Sequence, residues 1–548
     1  MKMKSGDFSE TGRVVYDPAT TKTVGGQTVR DPFPNNIIPS TRIDAAAKAI
    51  MAFYPDPNRP DFPTTNNYTL DSTRLTQSER IDSRVDYVIS ANDRLSGGFA
   101  WLRSHAIGGR NFANGANPNS TMFNDTKAPS FQVNETHTFS PRMVSEARLG
   151  YQRVRNPIAP DPESATDWRS KLSLPAIQDP SPQVGFPFIN LPGFTSLGTP
   201  YDKFLFGQDT WNVNETLSWN RGKHFLKLGG NYNHLRSIDY IPNFPAGGYY
   251  FTSGSFTSLP GRSGTGHAVG DFLLGMPGTA YAGYVPPGGI VPITHEVGLF
   301  VQDDFRVSQK LTVNLGMRWD VASAVKTANH TLWVYDPAKN ANVPGEPPFN
   351  TDWNNFGPRF GFAYLADDKT VLRGGYGISY FTQFKGLQGF SVAPPALQQH
   401  AFYTTDPLVA PFTFRNDFGK FLDLGNAKTF PLTDSDFTQT FSRDGMPAPY
   451  LQSWNLTLER QVTKSFLLSS SYVGNKGTHL DGWTSLNQLP ADKLGPDSKF
   501  GGLTAQQRTV YPAVGGLYNF ENGGNSRYNA LQVKGEWRYS QGLTFLAS

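Results

Sequence analysis

Apolar and polar residues alternate along this chain in paired segments joined by very short polar turns. This is the period-two signature of antiparallel strands whose two faces meet different surroundings. Ile81, Val85, Tyr87 and Ile89 alternate with Asp82, Arg84 and Asp86, and after Asn92-Asp93 the apolar parity resumes at Leu95, Phe99 and Trp101. Phe131 and Val133 lead through Ser140-Pro141-Arg142 into Ala147, Leu149 and Tyr151. Trp211, Val213, Leu217 and Trp219 lead through Asn220-Arg221-Gly222-Lys223 into Leu226, Leu228 and Tyr232. Four further pairs turn near Ser308-Gln309-Lys310, Asp367-Asp368-Lys369, Thr463-Lys464 and Ser540-Gln541-Gly542. The pattern predicts seven hairpins and about fourteen strands, many running about ten residues.

The connections between hairpins are long and rich in Gly, Pro, Asn, Ser and Thr, for example residues 108–129, 156–209 and 381–450. Short turns at one end and long irregular loops at the other match transmembrane β-barrels. The hairpins recur at irregular intervals, which disfavours a propeller or solenoid. Residues 43–53 place Ile43, Ala46, Ala47, Ile50 and Met51 at helical spacing and predict one short loop helix. Residues 271–293 are apolar, but Pro277, Pro286, Pro287 and Pro292 forbid a spanning helix, so a loop or plug-contacting segment is expected there.

Composition narrows the class. Of 548 residues, 54 are Gly and 42 Pro, and aromatics reach 13%, too many for a disordered chain and too many helix breakers for a bundle. Mean hydropathy is −0.42, which excludes a helical membrane bundle. The charge is near balance at +4, with no basic stripe along the sequence, so a nucleic-acid partner is not expected. There is no Cys, which removes disulfides, thiolate zinc sites and cysteine catalysis.

Alternation alone leaves open whether the apolar parity meets lipid or a protein core. Three features favour lipid. Charges lie deep inside strands on the opposite parity (Asp82, Arg84, Asp86, Glu146, Arg148, Arg318, Glu536 and Arg538), where a wet lumen would solvate them. Trp101, Trp211, Trp219, Trp319, Trp454 and Trp537 fall in predicted strands, often near an end, as in interfacial girdles. Ten residues at ~3.3 Å each and a tilt near ~40° also cross a band of roughly 25 Å. The expected fold is all-β, an antiparallel up-and-down transmembrane β-barrel, with residues 1–79 a loop-rich segment leading into it and residues 80–548 its wall.

Several segments resemble the TonB-dependent receptors of the Oar-like subgroup. They include Asn36-Ile37-Ile38-Pro39 with Arg42-Ile43-Asp44, then Phe53-Tyr54-Pro55-Asp56-Pro57-Asn58, and Arg80-Ile81-Asp82 with Val85-Asp86-Tyr87. Asp271-Phe272-Leu273-Leu274-Gly275, Phe300-Val301-Gln302-Asp303-Asp304 and residues 311–319 continue the likeness, as do residues 355–361, 472–477 and 528–532. The resemblance implies a large outer-membrane barrel closed by a plug. It would import a scarce small molecule, a siderophore or an oligosaccharide, on energy relayed by the TonB system, with outer-membrane lipid around it. It also implies that this chain is an internal piece of a longer protein, an open meander of about two-thirds of the wall, with the plug elsewhere. A structural or adhesive surface barrel without transport is the alternative, and a secreted carbohydrate-active enzyme is a third reading.

No residue pattern declares catalysis or a cofactor. Gly264-Thr265-Gly266 with Gly270 lacks the G-x-G-x-x-G spacing and reads as a loop. The nine histidines, among them His224, His234 and His295, show no metal-site spacing, so no metal is expected. Asp303-Asp304, Asp434 and Asp436 read as solvated acids. The loop aromatics Tyr249, Tyr250, Phe251, Tyr281, Tyr284, Phe402 and Tyr403 either stack on a ligand or pack long loops together, and no single ligand-binding residue is assigned.

Overall fold

The computed structural model describes residues 2–548 apart from 63–65, 113–122, 160–165, 178–184, 202–203, 287, 330–332, 337–338, 345–349, 382–396, 405, 407, 424–426, 432–436, 442–445, 488–515 and 539–541. Thirteen long strands pair in chain order. They are β1 (Leu75–Val88), β2 (Asp93–Ile107), β3 (Phe123–Ser140), β4 (Met143–Ala159), β5 (Phe204–Arg221), β6 (His224–Tyr240) and β7 (Pro292–Arg306). β8 (Leu311–Ala322), β9 (Phe356–Asp367), β10 (Thr370–Tyr380), β11 (Tyr450–Thr463), β12 (Phe466–Ser485) and β13 (Gly516–Arg538) follow. A short β14 (Thr544–Ala547) folds back on the end of β13. Two small strands, Lys326–Thr327 beside β7 and Phe437–Phe441 parallel to the start of β13, complete a 16-stranded sheet. Every predicted hairpin pairs, and the first six have their short turns at one common end; most of the seventh turn, at Ser540-Gln541-Gly542, lies outside the described residues. Among the described residues β1 pairs only with β2, and no pairing joins it to β13 or β14.

The ladder register puts the apolar parity of every hairpin on one face. Val133, Leu149, Val213, Tyr232 and Val297 follow one another across five neighbouring strands. All eight strand charges singled out above lie on the other face. Among the described residues no second layer covers the apolar side: Leu149, Leu315 and Trp537 remain 39%, 50% and 42% exposed. A soluble sandwich would bury these positions. The six strand tryptophans share the apolar face, and around one of them Phe131, Tyr151 and Trp211 form a ring cluster with centroids 4.6–5.7 Å apart. Where bulk meets bulk across this face, glycine makes room: a Cβ on Gly474 would lie 2.5 Å from Trp454 Nε1.

The thirteen long strands are longer than the ten-residue expectation, from 11 residues in β10 to 23 in β13. Period-two alternation marks only the part of a strand with unlike surroundings on its two faces. Beyond that band both faces meet polar groups, so the hydrophobic signal ends while backbone pairing continues.

Beyond the long-connection end sits a packed cap, which alternation does not reveal. Residues before β1 join the connections β4–β5, β6–β7 and β10–β11 in one core that includes Phe8, Phe33, Ile50, Phe186, Ile189, Tyr249, Phe272 and Phe414. The predicted helix is α1 (Ala45–Met51). Asp44 caps it by accepting from the Ala46 and Ala47 amides at 2.9 and 3.2 Å, and Ala46, Ala47, Ile50 and Met51 are buried. Residues 271–293 are not a plain loop. Asp271 to Leu273 belong to a helix, Ala268–Leu273, and Thr279–Tyr284 is a strand. That strand sits in a second, four-stranded sheet with Phe188–Asn190, Gly248–Tyr250 and Gln398–Tyr403.

Candidate functional site

The inward face is lined with amides and paired charges. Arg80 binds Asp82 and Arg84 binds Asp86 along β1, and Asn212, Asn214 and Asn233 hydrogen-bond across β5 and β6. On β8, Arg318 donates to Asp320 at 2.9 Å and reaches across to Asn231 Oδ1 at 2.7 Å. Asn233 donates to Glu296 at 2.9 Å. Gly298 makes this crossing possible, because a Cβ there would lie 2.1 Å from Arg318 Nη2. These groups, with Arg359, Ser379 and Tyr380, line a cavity of about 280 Å³ near the long-connection end of the wall. Convergent amides, two guanidiniums and two carboxylates can bind a polar solute. They contain no nucleophile–base pair of the kind covalent catalysis needs.

The cap is held by buried polar ties. Asp271 is fully buried and accepts from Thr252 Oγ1 at 2.5 Å, from Thr257 Oγ1 at 2.8 Å and from the Thr257 amide at 2.9 Å. Burial nevertheless pushes its carboxyl pKa up to about 6, against those hydrogen bonds. Arg30 joins the N-terminal segment to two connections through the carbonyls of Phe256, Ser258 and Leu408 at 2.7, 2.9 and 3.0 Å. Arg169 is likewise buried, donates to the Ala246 carbonyl at 3.0 Å and lies over the Phe418 ring.

Each candidate from the sequence now has a place. Tyr249 and Phe251 are core residues, Tyr249 meeting the Phe414 ring at 4.8 Å. Tyr250 and Tyr281 pack on each other and on Phe244, and Tyr281 also meets Tyr403. Tyr284 lies against Phe421 and Phe402 against Phe412. These rings bind loop to loop. Gly264 and Gly266 occupy a positive-φ corner of the cap. His224 stacks on Phe305 and contacts Asp303 at 2.7 Å on the apolar face, whereas Asp304 faces inward and accepts from Asn314 at 2.6 Å. His234 and His295 adjoin on the outward face, with ring centroids 4.9 Å apart. Asp434 and Asp436 lie outside the described residues. Asp93 of β2 and Glu135 and His137 of β3 bring donor atoms within 4.8 Å of one another at the short-turn end, but Asp93 and His137 simply pair with each other at 2.5 Å.

Comparison with known proteins bears on the whole chain. A family model described as "Outer membrane beta barrel domain" matches residues 1–548. No curated protein matches. Among solved structures, the outer membrane transporter YddB from Escherichia coli is 9% identical with a TM-score of 0.46, the alignment covering 85% of this chain and 45% of that one. A variant of the ferric enterobactin receptor PfeA from Pseudomonas aeruginosa is 12% identical with a TM-score of 0.44, covering 90% and 54%. The siderophore receptor PirA from Acinetobacter baumannii is 11% identical with a TM-score of 0.42, covering 86% and 53%. The chain thus spans about half the length of the solved structures it matches.

Proposed function

The chain belongs to the outer membrane β-barrel domain family, and from that premise we propose that it forms the wall of a TonB-dependent receptor of the Oar-like kind. It lies in the outer membrane and acts as a transport barrel, not an enzyme. Its substrate would be a scarce small molecule, a siderophore or an oligosaccharide. The observation that carries this reading is the two-sidedness of the wall, apolar outward and amide- and charge-lined inward to the cavity bounded by Asn231, Glu296, Arg318 and Arg359. A solute passing such a wall exchanges hydration for amide and guanidinium contacts. Gating and TonB coupling would be supplied by a plug segment outside this chain.

The test is accumulation of labelled ferric siderophores and oligosaccharides by cells expressing the full-length protein in a host lacking its own copy. The reading requires uptake that an uncoupler of the proton gradient abolishes. Surface binding without energy-dependent accumulation of any solute would replace it with an adhesive barrel.

A further inference from the structure

On strands β2 to β6 the cations change faces with height. Near the short turns, the strand-interior cations Arg94, Arg148 and Lys227 share the inward parity. Ten to thirteen residues beyond Asp93, Ser140, Met143 and His224, the strand residues at the short turns, the cations are Arg103, Lys127, Arg153, Arg155 and Arg236. All five share the parity of Phe99, Phe131, Tyr151 and Trp211, the apolar outward face. With roughly 2.5 Å of height per tilted residue, they stand about 25–33 Å above the turns, at the upper rim of the hydrocarbon band. The aromatic cluster of Phe131, Tyr151 and Trp211 lies immediately beneath.

Three carboxylates sit among the five cations, one of them Glu79 of β1, directly across from Arg103. Asp209 is nearly buried and bonds Arg155 at 2.6 Å, Arg236 at 3.0 Å and Arg153 at 3.4 Å, and it also accepts from the Tyr151 hydroxyl at 3.2 Å. Asp125 bonds Arg103 at 2.8 Å and Lys127 at 3.4 Å. The carboxylates therefore hold the cations in a fixed array without neutralising it. Arg153 and Lys127 keep half their side chains exposed at the longest contacts. An internal ion-pair network would balance its charges, and this one carries an excess of cation toward the surrounding membrane.

We propose that this array binds the phosphate groups of outer-leaflet lipids, fixing a ring of anionic headgroups against strands β2 to β6. Planar guanidiniums held side by side suit phosphate oxygens, and each cation at a membrane surface is worth about fivefold in affinity for anionic lipid. The inference rests on the outer-membrane placement of the wall and not on transport.

The test uses the full-length protein in neutral detergent, titrated separately with a phosphorylated glycolipid, its dephosphorylated counterpart and inorganic phosphate. Bound lipid is counted by native mass spectrometry. The phosphorylated glycolipid should bind, with affinity falling at least tenfold in the Arg153→Gln, Arg155→Gln, Arg236→Gln triple variant and recovering with Lys at the same positions. Arg94→Gln, on the inward parity, should bind as the parent does. Folding of each variant is checked by strand circular dichroism, and if the triple variant fails to fold, Lys127→Gln with Arg153→Gln takes its place. Equal binding of the dephosphorylated lipid, unchanged affinity in the folded variant, inorganic phosphate competing at the lipid's own concentration, or self-association of the protein through this face would each overturn the proposal.

Discussion

Val301 offers a sharp test of which face meets lipid. It lies on β7, between Leu228 of β6 and Met317 of β8, and is 51% exposed. Five residues from Arg306, at roughly 2.5 Å each, it stands about 12 Å above the short turn, near the middle of the apolar band. A Val301→Arg substitution would place a guanidinium in hydrocarbon, at a cost of about 2–4 kcal/mol at that depth. The folded-to-unfolded ratio would then drop by roughly 30- to 1,000-fold. The next residue, Gln302, faces inward and donates to Asp304 at 3.1 Å. Gln302→Arg would gain that carboxylate as a partner and should cost under about 1 kcal/mol. The assay is reversible urea unfolding in lipid vesicles, followed by tryptophan fluorescence. Equal costs at the two positions, or a larger cost at Gln302, would refute the assignment of faces.

Four further outcomes follow from the cap. Asp271→Asn leaves one acceptor oxygen where a carboxylate serves several donors, and should destabilise the cap by about 1–3 kcal/mol, read as faster hydrogen exchange over residues 252–273. Because burial raises the Asp271 pKa to about 6 from its ordinary 3.8, the folded cap holds a proton that the unfolded chain releases. Its contribution is therefore fully present below about pH 4 and is lost as pH rises to about 6, and exchange protection should fall across that window in the parent but not in Asp271→Asn. Gly266→Ala should disrupt the cap, since its Cβ would meet the Gly254 carbonyl at 2.1 Å, while Gly264→Ala, with nothing within 4 Å, should cost only about 1 kcal/mol of positive-φ strain; thermal melting separates the two. Arg169→Met, which removes donors to Ala246 and Tyr249, should expose the loops 160–203 and 241–291 to protease without altering the wall's strand signal.

The hairpins were legible because a strand between lipid and a wet lumen must alternate, and a misplaced residue there, such as a charge for Leu149 or Leu315, is costly. Helix α1 was legible for a related reason, its apolar stripe following directly on the Asp44 cap. The cap as a whole was not. Phe8, Phe186, Tyr249 and Phe414 meet from four distant parts of the chain, and strands as short as Phe188–Asn190 carry too few residues to show a period. The helix Ala268–Leu273 is short and buried throughout, so it has no polar face to betray it. The outward cation array is invisible in the sequence for the same reason as the cap. Arg103, Lys127, Arg153, Arg155 and Arg236 form no run along the sequence, and only the strand register gathers them.

The face assignment of the wall is tested most directly by a spin-label scan. The chain has no native cysteine, so single Cys substitutions from Leu299 to Asp304 can each carry a nitroxide in the bilayer-reconstituted protein. Collision with dissolved oxygen, which concentrates in hydrocarbon, should be high at 299 and 301 and low at 300, 302 and 304, with a water-soluble nickel reagent giving the reverse. Labels at 299 and 301 shielded from both reagents would mean that protein covers the apolar face, and the membrane wall would have to be abandoned.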